Sequence, residues 1–464
     1  MALFRAVYNL LWGDLVTIPL PGGSSLGLSL LVILLIPTGL YFTIRTRFLP
    51  FRLFPEMVRV TGEKRHGTGK DGISGIQALI VSTACRVGMG NLVGVVAAIS
   101  AGGPGAVFWM WLMAIIGSST AFVESTLAQI YKEKDPLYGG CRGGPAYYLH
   151  ALFRGDKGGK SVIACLFALS GLICWCGISQ VIGNSISSSF ENAFGVPPLW
   201  STIALVAISA LIVLRKNATV RVLDVVVPVM AACYFFIAIF LILKNFALLP
   251  QVFGEIFSQA FGLRQAAAGG LGAVIMNGAK RGLFSNEAGS GSAPCAAAAA
   301  HISHPAKAGL LQALGVFIDT VVICSCSAMI MLLTPASLTS GLEGMDLLQT
   351  AMGYHLGQFG VVFIAVILWL FSFSTFLGIL FYARSNVAYL FGDNWLSQTL
   401  YKVLALVMLF VGGLAAYQFV WDLGDVGIGL MTIFNMIALF PLAPKALDAL
   451  RDYEAGMKER KAKE

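Results

Sequence analysis

The run Asn277–Pro294, NGAKRGLFSNEAGSGSAP, sits inside one of the most apolar regions of the chain, between Ala/Gly-rich stretches that read as helix. Lys280, Arg281, Asn286 and Glu287 fall within it, together with several glycines. In hydrocarbon, unpaired backbone groups and charges each cost several kcal/mol. Irregular backbone is tolerated there only where protein or a watery cavity surrounds it. The run therefore predicts a membrane-spanning helix that is unwound to bind something. Arg86–Gly94, RVGMGNLVG, predicts a second interruption closer to the N-terminus. The alternative for this shorter segment is close helix packing at Gly90 and Gly94, a small-residue pair.

The rest of the chain fits a polytopic membrane protein. Only 12% of its 464 residues are charged and 57% are hydrophobic, against about 25% charged in soluble domains. Eleven apolar segments are readable, with rough limits 26–45, 72–101, 106–131, 160–188, 199–214, 221–244, 265–300, 307–333, 359–391, 398–418 and 424–444. The predicted class is thus all-α, with eleven transmembrane helices of which 72–101 and 265–300 are discontinuous. No basic stretch leading into a short apolar core marks a cleaved signal peptide.

Basic residues alternate from loop to loop. Arg45, Arg47, Arg52, Arg59, Lys64, Arg65 and Lys70 follow the first segment, and none lies near Gly102–Gly105. Lys132, Lys134, Arg142, Arg154, Lys157 and Lys160 follow the third; Arg215, Lys216 and Arg221 come two turns later. The loop 334–358 holds Glu343 and Asp346 with no Lys or Arg, and Asp422 and Asp425 read as the last external turn. The tail carries Lys445, Arg451, Lys458, Arg460, Lys461 and Lys463. By the positive-inside rule the N-terminus lies outside and the C-terminus in the cytoplasm of a plasma (bacterial inner) membrane. The net charge of +8 is then a topology signal and no sign of a nucleic-acid partner.

With the first segment set aside, two groups of five helices with opposite orientation remain, each opening on a broken helix. This is the inverted-repeat plan of secondary transporters. The expected organisation is residues 1–71 with the extra helix, 72–244 as the first repeat, 245–444 as the second, and 445–464 as a basic tail. Half-helix N-termini suit a carboxylate, and unwound carbonyls suit a small cation. No His-Glu-x-x-His motif argues for an enzyme, and the cysteines within apolar segments read as small hydrophobes.

Four stretches, RVGMGNLVGVVAAISAGGPGAVFWMW from Arg86, GAKRGLFSNEAGSGSAP from Gly278, HPAKAGLLQALGVFIDT from His304 and FSFSTFLG from Phe371, resemble the alanine or glycine:cation (sodium:alanine) symporter family. The resemblance covers essentially the whole chain. It implies a LeuT-type fold with a 5+5 inverted repeat and one extra helix, and Na⁺- or H⁺-coupled uptake of a small neutral amino acid. It also implies substrate contacts at Gly88, Met89, Gly90 and Asn91, with the N–H groups of Met89 and Gly90 on the carboxylate. Cys85 lines the same pocket, and Asn277 and Gly278 meet the ammonium. Ser374 and Thr375, with the carbonyls of Ala84, Val87 and Phe371, would cage one Na⁺; Thr375 also borders the substrate.

Three positions depart from the family pattern. Met89 stands where Thr is usual, and Ile379 where Trp is frequent. A Gln shortly before an Asn-Ser pair is here spread over Gln180 and Asn184-Ser185; Gln180 and Asn184 are four apart and share one helix face, so one of them is expected still to reach the substrate. These changes open the pocket to a larger neutral amino acid such as glutamine, beside alanine and glycine. Of the intramembrane charges, Arg86 is expected to pair with Asp319 or Glu124; proton coupling through Glu124, Asp319 or Glu287 is the alternative to Na⁺. Membrane lipid is the surrounding partner, and the sequence leaves the oligomeric state open, a monomer being compatible with it.

Overall fold

A computed structural model of the chain describes residues 2–19, 25–63, 73–155, 159–215, 218–262 and 270–463. Lys64, Arg65, Lys70, Lys157 and Lys216, used in the charge pattern, lie outside the described residues. The architecture is almost wholly helical, because a lipid-embedded segment must pair its own backbone. Among the described residues, seven helices are long and apolar enough to cross a membrane. Two antiparallel ribbons complete the structure: β1 (Val16–Pro19) with β2 (Ser25–Leu28), and β3 (Glu133–Lys134) with β4 (Cys141–Arg142).

Helix α1 (Ala2–Trp12) precedes the first ribbon and α2 (Leu30–Arg45) follows it, capped by the Ser29 hydroxyl accepting from Val32 N–H. The short α3 (Leu49–Arg52) leads to α4 (Phe54–Thr61), which buries Met57 and Val60. A capping box of Ser74 and Gln77 opens α5 (Gly75–Arg86). After Arg86 the chain turns, forms a π-helical stretch at Gly90–Gly94, and continues as α6 (Val95–Gly102).

Next come α7 (Gly105–Ile130), α8 (Pro145–Phe153), α9 (Val162–Phe194), α10 (Pro198–Val213), α11 (Ala218–Lys244) and α12 (Leu249–Ala260). Helix α13 (Gly270–Asn286) is separated from α14 (Ala293–Ala299) by an irregular stretch, and α15 (Pro305–Val316) runs through a π-helical segment, Phe317–Cys324, into α16 (Ser325–Leu332). The chain closes with α17 (Ala336–Thr339), α18 (Gly344–Leu356), α19 (Gln358–Phe391), α20 (Trp395–Leu414) and α21 (Tyr417–Lys463). Proline in the first turn of α8, α10, α12, α14 and α15 removes a donor that has no helical acceptor there, so it starts these helices without cost.

The interior is built on α5, α7, α9, α13, α15, α19 and α21, with Phe122, Phe167, Trp175, Phe371 and Phe376 fully buried. Helix α11 instead exposes Val225, Val229, Phe236, Phe240 and Leu243, as a lipid-facing wall does. Helix α21 carries Pro441 and Pro444 within it. Its far end docks on α4 and α15, where the Tyr453 hydroxyl donates to Glu56, Arg52 pairs with Glu454 at 2.7 Å, and His304 meets Asp452 at 3.0 Å.

Candidate functional site

The first interruption begins where α5 stops. Val87 leaves the helix with ψ at 73°. Gly88 N–H then turns to the Arg86 carbonyl and to Asn91 Oδ1, both at 2.8 Å. A side chain thereby replaces a helical acceptor that the turn has lost. The Asn91 amide donates to Asp319 Oδ1 at 2.8 Å and to the Asp319 carbonyl at 3.0 Å. The other Asp319 oxygen accepts from Ser285 Oγ at 2.9 Å and Thr320 Oγ1 at 2.6 Å. Asn91 therefore braces the turn against the π-helical segment and α13. Gly90 permits the approach: a Cβ there would lie 3.2 Å from Ser285 Cα.

Helix α19 meets the same turn. Ser374 Oγ and Thr375 Oγ1 both donate to the Phe371 carbonyl, at 2.8 and 2.9 Å, and Thr375 Oγ1 accepts the Met89 N–H at 3.2 Å. Val87, Met89, Phe371, Ser374 and Thr375 are all buried. Ala84 lies one turn back on α5, as does Cys85, whose side chain is outside the described ones. Ile379 is buried one turn beyond Thr375. Hydroxyl and carbonyl oxygens without a carboxylate make a donor set suited to a weakly held hard monovalent cation. The Met89 N–H, expected on the substrate carboxylate, is here given to Thr375.

The second interruption is shorter than the sequence suggests. Helix α13 runs unbroken through Asn277 and Gly278 to Asn286. Asn277 Nδ2 donates to its own helix at Ala273 O, 2.9 Å away, and Gly278 packs against Ala106 and Trp109 of α7. Neither residue lies at an unwound position. Lys280 and Arg281 need no unwinding because Asp425 compensates them, at 2.6 Å from Lys280 and 3.1 Å from Arg281. Asp425 itself is buried within α21 and not in an external turn. Tyr8 and Trp12 of α1 complete this cluster: Lys280 Nζ donates to Tyr8 Oη at 2.6 Å and lies 5.3 Å from the Trp12 ring, while the Trp12 indole donates to Asp425 O at 3.0 Å.

The irregular stretch spans residues 287–292. Glu287, Gly289 and Gly291 have φ of +56°, +90° and +84°. One carboxylate holds it: Glu124 Oε1 accepts from Gly289 N–H at 3.2 Å, and Oε2 accepts from Asn435 Nδ2 at 2.8 Å. Asn435 Nδ2 also reaches the Gly289 carbonyl at 2.9 Å, and the Tyr148 hydroxyl donates to Asn435 Oδ1. The expected pairing of Arg86 with Asp319 or Glu124 is not formed among the described residues. Arg86 Nη1 instead donates to the carbonyl and to Oε1 of Gln312, each at 3.1 Å. Both acids have neutral donors on them already, which removes the need for a contact ion pair.

Gly88, Met89, Gly90, Asn91, Val87, Phe371, Ser374 and Thr375 thus come together, whereas Gln180 and Asn184 face α20. Gln180 Nε2 reaches Met408 Sδ at 3.3 Å, and Asn184 Nδ2 donates to Ala415 O at 2.6 Å. Sequence reasoning missed Ser285, Thr320, Tyr148 and Asn435. Asn435 carried a usable signal, being a lone amide in the apolar run of the last helix.

Comparison with known proteins places these features in context. The profile described as the Sodium:alanine symporter family matches residues 22–464. The chain is 44% identical over 427 residues to the "Probable sodium/glutamine symporter GlnT" of Bacillus subtilis, covering 91% of this chain and 87% of that one. It is 42% identical over 429 residues to "Amino-acid carrier protein AlsT" of the same organism, covering 92% and 90%. The solved structure of MhsT in complex with L-phenylalanine is similar in fold alone, at 12% identity and a TM-score of 0.54 over 82% of this chain and 98% of that one.

Proposed function

The chain belongs to the sodium:alanine symporter family, and from that premise we propose how its geometry moves a sodium ion and an amino acid together. The protein is a sodium-coupled symporter of a small neutral amino acid. The observation that carries the mechanism is the Met89 N–H on Thr375 Oγ1, with Thr375 and Ser374 both on the Phe371 carbonyl. The first interruption and the hydroxyl pair of α19 are one unit. Na⁺ at Ser374, Thr375 and the carbonyls of Ala84, Val87 and Phe371 draws the Thr375 oxygen to itself. That releases the Met89 N–H for the substrate carboxylate. Ion and substrate binding are thereby linked through one hydroxyl.

In this reading the chain has eleven spans, α5–α6 and α13–α14 being discontinuous helices that open residues 72–244 and 245–444 as inverted repeats. The N-terminus lies outside the plasma membrane and residues 445–464 in the cytoplasm. Gly88, Gly90 and Ile379 line the substrate space. The ammonium goes to carbonyls at the end of α13 rather than to Asn277 and Gly278, which lie within that helix. Alanine or glycine is the first substrate. Ile379, where Trp is frequent, enlarges the pocket and Met89, where Thr is usual, makes its floor more apolar, which favours glutamine as the second.

Proteoliposome uptake of labelled alanine, with and without an inward Na⁺ gradient and competed by glycine, serine and glutamine, tests this. Na⁺-dependent uptake blocked best by alanine or glycine supports the first reading, and best by glutamine the second. Uptake indifferent to Na⁺ but driven by a pH gradient would overturn the sodium mechanism.

A further inference from the structure

Where α2 ends beside the second half of α21, the two enclose a cavity of about 290 Å³ that the transport mechanism does not use. That is roughly ten times the volume of one water in the liquid. Its polar lining is Arg45, Thr46, Arg47 and Arg52 from one arm of the chain, and Arg451 and Glu454 from the other. The arms are joined at 2.7 Å between Arg52 and Glu454, and Arg451 is held by Asp448 at 3.0 Å. Four arginines thus stand against two carboxylates, a surplus of two positive charges. The surplus belongs to Arg45 and Arg47, which are exposed and form no ion pair with a described residue. A concave site with uncompensated charge of one sign concentrates ions of the other.

The backbone here is shaped around the charge. Arg47 and Phe48 have φ of +55° and +54°, a left-handed conformation that residues other than glycine rarely adopt. Arg52 braces this turn, its Nε donating to Arg47 O at 3.1 Å and its Nη2 to Thr46 O at 3.0 Å. Arg52 is therefore occupied, and Arg45 and Arg47 are left for a ligand. Apolar surface adjoins them: Ile44, Phe48 and Phe51 are 62%, 56% and 63% exposed. About one turn back along α2, the Tyr41 and Phe440 rings meet at 5.5 Å and Phe42 stacks on Phe440 at 5.6 Å. This seam closes α2 on α21, yet Leu40, Tyr41 and Phe440 keep an exposed outer face. An anion in the cavity has a hydrocarbon-like surface directly beside it, which a free phosphate has no use for and a phospholipid does.

We propose that this cavity is a binding site for the phosphate headgroup of an anionic phospholipid in the cytoplasmic leaflet. Arg45 and Arg47 take the phosphate oxygens through their planar forks, and Arg451 adds charge from α21. The acyl chains lie along Tyr41 and Phe440. The lipid then ties α2 to α21 where the Arg52–Glu454 pair already joins them. A zwitterionic lipid carries its own cation and leaves the surplus charge uncompensated, so the site selects against it. The choice of leaflet rests on the orientation proposed above. Binding itself depends neither on that orientation nor on which amino acid is carried.

The test uses the purified full-length protein, stripped of lipid in detergent and titrated with phosphatidylglycerol or phosphatidylcholine under native mass spectrometry. The first phosphatidylglycerol is expected to bind about tenfold tighter than the first phosphatidylcholine. The double variant R45Q/R47Q should remove about that advantage, and R451Q, on the other arm, part of it. R45K/R47K keeps the charge and loses the forks, so it should fall between parent and double Gln variant. K134Q/R154Q takes the same charge from residues outside the cavity and should leave the first binding step within about twofold of the parent. Equal affinity for the two lipids, or an equal loss in K134Q/R154Q, would overturn the site in favour of general surface charge. Displacement of the lipid by millimolar inorganic phosphate or glycerol phosphate would overturn the lipid assignment in favour of a soluble anion. Arg45 and Arg47 hold no described partner that supports the fold, and an unchanged melting curve in phosphatidylcholine checks that the variants are intact.

Discussion

Asp425→Asn is the substitution whose cost follows most directly from the structure. Asp425 is 1% exposed at its side chain and is shared by Lys280 and Arg281, themselves 7% and 8% exposed. The cluster holds two positive charges and one negative, a net of +1. Asn at 425 raises this to +2 in a place that water does not reach. Removing one partner of a buried pair costs about 3–5 kcal/mol, mostly for the charge left behind. Some hold remains, because Lys280 keeps Tyr8 Oη at 2.6 Å and Arg281 lies 4.0 Å from the Trp421 ring centroid. Cation–π contacts of this kind contribute about 0.5–2 kcal/mol. The expected loss is therefore at the low end, about 3 kcal/mol, or roughly a hundredfold in the unfolding constant.

Lys280→Met makes the contrasting case. It leaves the two-point Arg281–Asp425 pair, at 3.2 and 3.1 Å, with a net charge of zero. It should cost about 1 kcal/mol, the worth of a surrendered hydrogen bond and ring contact. Reversible denaturation in mixed detergent–SDS micelles measures both, and the difference should persist in high salt because the charges are enclosed. If Lys280→Met proved as damaging as Asp425→Asn, net charge would not govern this cluster and the reasoning would fail.

Thr375→Val removes the acceptor for the Met89 N–H and one donor to the Phe371 carbonyl, so a Na⁺ titration of uptake should shift to at least tenfold higher Na⁺, with Ser374→Ala shifting in the same direction. Asn91→Ala strips Gly88 N–H of an acceptor and Asp319 of a donor; leaving such groups unsatisfied costs about 1–3 kcal/mol each, visible as a lowered denaturation midpoint together with slower uptake. His355, on α18, is 5% exposed, and burial holds its imidazole below the usual histidine range, helped by the Lys244 charge. Its neutral form is therefore the folded form: stability should be full above about pH 6.5 and decline as pH falls through the depressed value, a slope that His355→Gln should abolish in Tm measurements from pH 5 to 7.5.

The positions of the helices were largely legible, because hydrocarbon forces long apolar runs to pair their backbone internally. The first interruption was legible too, since Gly88-Met89-Gly90-Asn91 combines weak helix formers with a side chain able to replace a backbone acceptor. The second was misjudged at its start. Lys280 and Arg281 look like residues that must break a buried helix, yet one aspartate more than a hundred residues away makes them tolerable within it. Tertiary compensation of that kind has no local signature. The same holds for Gln180 and Asn184. Their spacing correctly puts both on one face of α9, but nothing in the spacing says that this face meets α20. Glu124 was readable as a buried acid, whereas its partner is a backbone N–H that exists as a free donor only because Gly289 is not helical.

Helix α21 ties together parts of the molecule that the chain order keeps apart. Asn435 grips the irregular stretch at Gly289, and Tyr453 lies against α4. At 1.5 Å per residue the two are separated by roughly 27 Å along one helix. Pro441 and Pro444 fall between them, each lacking the N–H that would tie it to the preceding turn. The helix is thus a jointed rod and not a stiff one. If the Asn435 half follows the irregular stretch during transport, the Tyr453 half can stay moored to α4. A fluorophore pair placed across the joint would then register each transport cycle as a change of angle, with no label near the substrate.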